Sequence, residues 1–103
     1  MALVKVASLS ALPPGSVTEV LVDSKPFAIC HVDGEVTALD GICSHAGGPL
    51  GQGQMEGRNV ICPWHCWEFD CRTGALAHNP ERTVATYPVK VEGDDVFLDL
   101  PNA

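Results

Sequence analysis

Positive charge is scarce in this sequence: six Lys and Arg stand against 13 Asp and Glu, a formal net charge of −7. That balance argues against binding nucleic acid or an anionic membrane surface and favours a partner with a basic face. Long apolar runs are missing too. The opening MALVKVASLSALPPG is interrupted by Lys5, lacks a basic leader region and falls well short of the roughly 18 apolar residues of a membrane span. The expectation is a cytoplasmic, unprocessed protein. No window keeps a 3.6-residue apolar period over a helical length, and no internal repeat or low-complexity tract is present, so bundles and solenoids are excluded. Glycines at 47, 48, 51, 53 and 57 are not followed by the Gly-Lys-Ser/Thr of a phosphate-binding loop. With 103 residues there is length for one compact domain and none for a second.

What is present is strand patterning at both ends. Residues 18–23 and 26–32 flank Ser24-Lys25, and Asp33-Gly34 then turns the chain toward residues 35–40. Asp-Gly readily takes the positive φ of a tight hairpin, so 18–40 reads as a meander. Near the other end Val89 and Val91 alternate with Lys90 and Glu92. Gly93-Asp94-Asp95 then leads into Val96, Leu98 and Leu100, a second half-buried hairpin. Residues 41–80 between them, rich in Gly, Pro, Cys, His and Trp, read as ordered loops on a β scaffold, and loops are where chemistry concentrates.

Five cysteines are an odd number for a disulfide framework, and with no secretory signal metal binding or redox chemistry is the better use. Two mixed pairs stand out: Cys43-Ser44-His45 and, after sixteen intervening residues, Cys62-Pro63-Trp64-His65. Each offers one soft sulfur and one imidazole. In extended chain, residues i and i+2 point the same way about 6–7 Å apart, so a Cys-x-His arm spans two adjacent metals more naturally than it closes on one. A Cys2His2 zinc site is the first alternative, although zinc modules usually pair like with like. A Cys/His nucleophile, with Asp40 or Asp70 orienting the base, is the second; two such pairs exceed what a nucleophile needs.

The segments CSH and ICPWHCWEFDCRTG strongly resemble the Rieske ferredoxins, over about residues 25–100. The resemblance implies an all-β fold, an antiparallel sandwich or barrel with two cluster-binding loops at one tip. The chain would be a single domain, residues 1–103, with a cluster-binding subdomain at about 41–80 inserted in the β base. It implies one 2Fe-2S cluster, Cys43 and Cys62 on the inner iron and His45 and His65 on the outer one. Electrons would pass through the imidazole edges, whose N–H protons make the potential pH-dependent. The high-potential branch of the family adds a bridging cysteine pair and hydroxyls aimed at sulfur; the matching positions here are Gly48, Trp64, Trp67 and Phe69, which implies a low potential.

The function implied is one-electron transfer by a monomeric carrier with no catalytic residues of its own. It would resemble the ferredoxin component of an aromatic-ring oxygenase system. A flavin-containing, NAD(P)H-dependent reductase would supply the electron and a terminal oxygenase or other redox enzyme would accept it. A small Rieske subunit of an enzyme such as nitrite reductase is the alternative, and a zinc-stabilised interaction module a more distant one. Gly48 is expected to bring backbone close to a cluster sulfur, and Gly51, Gly53 and Gly57 to make ordinary turns. Trp64 is expected to point outward and Trp67 inward. Cys66 stands where the family usually has Gly. Cys66 and Cys71 read as small buried thiols that could oxidise together, and Cys30, His31 and His78 as structural.

Overall fold

The computed structural model describes residues 2–42, 48–64, 67–77 and 79–100. Twelve strands run along them: β1 (Ala2–Ser8), β2 (Ser16–Val22), β3 (Lys25–Val32), β4 (Glu35–Asp40), β5 (Gln54–Glu56), β6 (Asn59–Ile61), β7 (Glu68–Asp70), β8 (Ala75–Leu76), β9 (Asn79–Thr83), β10 (Thr86–Tyr87), β11 (Val89–Glu92) and β12 (Asp95–Leu100). Among the described residues the only helical pieces are two single 3-10 turns, Leu9–Ala11 and Leu50–Gln52. The all-β reading therefore holds.

The strands form three antiparallel sheets, ordered β1-β12-β11, β10-β4-β3-β2 and β5-β6-β7-β8-β9. β3 is the reason for the layering. Its run Phe27, Ala28, Ile29, Cys30 is buried at every position, so both faces of the middle sheet are covered along the centre of this strand. Phe27 and Ile29, with Ala38 of β4, pack against Val96, Leu98 and Leu100 of β12. Ala28 and Cys30, with Leu39 of β4, pack instead among Leu50, Val60, Cys62, Phe69 and Leu76. β12 shows the simpler pattern, burying alternate residues from Val96 to Leu100, as a strand with one covered face should.

Both expected hairpins form. Asp33 and Gly34 take φ of 53° and 76°, the twist-matched geometry of a two-residue turn. The first turn differs by one residue from the expected Ser24-Lys25. Asp23 and Ser24 make it, with φ of 51° and 68°, and Lys25 pairs with Val22 as the first residue of β3. Asp accepts left-handed backbone more readily than Lys, which favours the earlier position. At the far end Gly93 and Asp94 form the turn and Asp95 joins β12, opposite Glu92.

Two features depart from the expectations. The N-terminal β1 pairs with β12, a contact between the two ends of the chain that local patterning does not disclose. Within residues 41–80, read as loops, the chain from Gln54 onward forms a five-stranded meander that continues to Thr83. Its strands are two to five residues long, too short for a period of two to rise above the turn residues between them. His31 is structural as expected: its Nδ1 lies 2.6 Å from the Leu12 carbonyl oxygen, and an N–H there caps that carbonyl. His78 lies outside the described residues.

Candidate metal centre

The two Cys/His segments leave the fold from pinned stems. At the end of β4, Gly41 N–H donates to the Pro26 carbonyl at 3.0 Å, and Ile42 N–H donates to Asp40 Oδ1 at 3.1 Å. Ile42 then bridges to Pro49, and Leu50 N–H returns to the Gly41 carbonyl at 2.9 Å. The chain at 43–47 thus begins and ends at one clasp, anchored by Leu50, which is fully buried. The second stem is a strand pair. β6 and β7 are in register from Asn59–Asp70 to Ile61–Glu68, and Cys62 N–H donates to the Trp67 carbonyl at 2.8 Å. Pro63 and Trp64 follow that last rung as a turn.

The stems touch. A side-chain carbon built on Gly48 would lie 2.8 Å from Cys62 Sγ and 3.0–3.1 Å from the Trp64 indole, so only glycine lets the first stem come this close to the second. The expectation for Gly48 is met. Gly51 and Gly53 are corrected: they are not ordinary turns, because a carbon at Gly51 would press on Glu19 of β2 and one at Gly53 would strike the Ile61 carbonyl. Trp64 is exposed and Trp67 packs partly buried on the inner core, as expected of each. Ile42 is a further exposed apolar side chain on the first stem. Sequence reasoning passed over it, although the Asp-Gly pair before it signals the turn that presents it.

Of the expected ligands Cys62 is described: its thiol is completely buried, beside the glycine clasp. Cys43, His45 and His65 lie outside the described residues, as does Cys66. Among the described residues no group of three or more His, Cys, Asp or Glu surrounds a common point, so the ligand set rests on the sequence pattern plus the placement of the stems.

A second sulfur cluster lies in the same core. Cys71, after β7, has its Sγ 2.9 Å from Cys30 Sγ of β3 and 3.8 Å from Met55 Sδ. The hydrogen bond to Cys30, then burial, then negative charge at Cys30 and Asp70 push the Cys71 thiol far above its ordinary pKa. Cys30, read as merely structural, is therefore the described neighbour of Cys71. Only β3 folding under β7 could reveal this, since 41 residues separate the two.

Residues 2–88 match the Rieske [2Fe-2S] domain. The chain belongs to this family. The ferredoxin component of the naphthalene 1,2-dioxygenase system of Pseudomonas aeruginosa is 40% identical to this Rieske domain over 94 residues, 90% of each chain. Among solved structures, the ferredoxin of carbazole 1,9a-dioxygenase from Nocardioides aromaticivorans IC177 superimposes with a TM-score of 0.85 at 33% identity, covering 95% of this chain and 97% of that one. A chain from the complex of reduced oxygenase and oxidized ferredoxin in carbazole 1,9a-dioxygenase superimposes with a TM-score of 0.84 at 28% identity, covering 93% and 91%. The Rieske domain carries one 2Fe-2S cluster and acts as an electron carrier, not as a catalyst. The structure accommodates that group: a buried thiol sits under a clasp with no side chain to block it, and the stems on either side of the two Cys/His segments adjoin one another. No helix among the described residues is long and apolar enough to cross a membrane.

Proposed function

We propose that Cys43 and Cys62 hold the inner iron of the cluster and His45 and His65 the outer one. The approach of Gly48 to Cys62 Sγ supports this reading, because it brings together the stems from which the two Cys/His segments depart. When bound, the cluster supplies a one-electron couple with two imidazole-bearing edges. The protein's own part is to keep Cys62 dry, to clamp both stems by backbone hydrogen bonds, and to leave Trp64 and Ile42 exposed beside them. Those two apolar side chains give a partner a surface from which water can be squeezed at the point of transfer.

The carrier is assigned to an aromatic-ring oxygenase system. It would accept single electrons from a flavin-containing, NAD(P)H-dependent reductase and pass them to a terminal oxygenase, working as a cytoplasmic monomer and single domain. Support comes from the relative at 40% identity, itself a dioxygenase ferredoxin component, and from the structural neighbour titled as a complex of oxygenase and ferredoxin. The nitrite reductase alternative is supported by fold alone, through a nitrite reductase small subunit that superimposes with a TM-score of 0.83 at 22% identity. Phe69, fully buried, and the exposed Trp64 stand where hydroxyl or bridging groups would raise the potential. A midpoint in the lower third of the Rieske range of roughly −150 to +300 mV is therefore expected.

EPR of the dithionite-reduced protein, with a redox titration of the same sample, is the test. The expected result is a rhombic spectrum with an average g-value below that of an all-cysteine cluster, abolished in His45→Ala and His65→Ala. A variant of either histidine that kept the wild-type spectrum would remove that residue from the ligand set.

A further inference from the structure

Cys30 and Cys71 belong to none of the machinery above. Their sulfurs face each other at 2.9 Å inside the core that joins the middle sheet to the five-stranded sheet, closer than two unbonded sulfurs normally rest, and closure to a disulfide needs a separation of about 2.0 Å. The two are not equally hidden. Cys30 is fully buried, whereas Cys71 retains 3% exposure and lines a pit of about 10 Å³ together with Val32, Glu35, Thr37, Arg58 and Arg72. A pit of that volume is at the lower limit for holding one water and excludes a bulky oxidant such as a peptide disulfide.

We propose that Cys30 and Cys71 form a peroxide-responsive dithiol, which closes to an intramolecular disulfide that ties β3 to the turn after β7. The oxidant is hydrogen peroxide, a small neutral molecule. The Cys71 sulfur, once its proton is lost, attacks one peroxide oxygen; the O–O bond breaks, the sulfur becomes a sulfenic acid and the departing oxygen leaves as water. Cys30 Sγ then attacks Cys71 Sγ, the S–O bond breaks and a second water leaves. Two thiols have given up two electrons, peroxide has become two waters, and both thiol protons are in those waters. Because the Cys71 thiol is held strongly protonated, the first step is slow, so the pair stays reduced in a reducing cytoplasm and responds to sustained peroxide.

The bond would close a long loop that contains both pinned stems, so the oxidised form has less unfolded-state freedom to regain. A closed loop of this length raises the unfolding temperature by about 5 °C or more.

The holoprotein is exposed to hydrogen peroxide over a time course at rising molar excess, quenched with catalase, unfolded in acid with an alkylating agent and mapped by tandem mass spectrometry. The expected product is a Cys30–Cys71 cross-link lacking two hydrogens. It is present in wild type and in Cys66→Ser, absent in Cys71→Ser, reversed by phosphine reductant and accompanied by the rise in unfolding temperature. The proposal is overturned if both thiols are alkylated after treatment, if either is bonded to another cysteine, or if Cys71 is recovered as a sulfinic acid. The wild-type map decides the matter even if a serine variant fails to fold.

Discussion

A methyl group on Gly48 would sit 2.8 Å from Cys62 Sγ and against the Trp64 ring, so the first stem could keep its place only by moving the sulfur or the indole. Gly48→Ala is expected to lose half or more of its bound iron, read as iron per protein after anaerobic purification. Gly57→Ala is the matched control. Gly57 has φ 59° with open space around it, so the substitution costs about 1–2 kcal/mol of backbone strain and should leave iron content unchanged. Equal losses in both would mean that Gly48 matters only for stability. The raised pKa of Cys71 has its own consequence at this scale. A thiol whose folded pKa lies above its ordinary 9.0 holds its proton after the unfolded chain has lost it. Its stabilising effect is complete below pH 9 and drains away above it, by up to about 1.4 kcal/mol per pH unit. Unfolding temperatures measured from pH 8 to 10.5 should fall more steeply for wild type than for Cys71→Ala; parallel profiles would show that the shift is absent.

At the scale of elements, β12 ties the ends of the chain together, flanked by β1 and β11. Leu98 is completely buried on its covered face, against Phe27 and Ile29 of β3. Leu98→Ala should therefore cost about 2–5 kcal/mol in urea unfolding. Val91→Ala on the adjacent strand, where the side chain is 41% exposed, should stay within about 0.5 kcal/mol. A cost below about 1 kcal/mol for Leu98→Ala would mean that this layer is not packed as described. The same elements show what could be read in advance. β12 was legible because it alternates and follows a glycine turn. β2 to β4 were legible because Asp-Gly marks one turn and β-branched residues fill the strands. β5 to β9 were not, because each is a few residues long and is held by pairing with its neighbours more than by its own composition. β1 was hidden because its partner lies at the opposite end of the sequence.

At the scale of the whole molecule, the cations among the described side chains have partners. Lys5 pairs with Asp95, Arg58 with Asp33, Arg72 with Glu35 and Lys90 with Glu92, while Lys25 donates to the Tyr87 hydroxyl. All four ion pairs are half exposed and contribute little to stability. Their larger effect is to leave nine of the 13 carboxylates without a cationic partner in these pairs, so the surface field is strongly negative. Such a field speeds encounter with a basic partner and is screened by salt. The rate at which the reductase delivers electrons should fall about tenfold or more as ionic strength rises from 0.02 to roughly 0.5 M, followed by stopped-flow bleaching of the oxidised cluster. A rate indifferent to salt would mean that apolar contact alone brings the partners together.

The class of cofactor was legible from the chain alone: soft sulfur and imidazole, alternating in two short arms, are a donor set that few metal centres use. So were the all-β character and the negative field, which follow from local patterning and from counting charges. Only the folded molecule decided what stands beside what. It brought Gly48 over Cys62, placed Cys30 against Cys71 and paired the first strand with the last. Each is a contact between segments far apart in sequence, and such contacts are selected by the burial of both faces of β3, a cooperative outcome that no short window of residues contains.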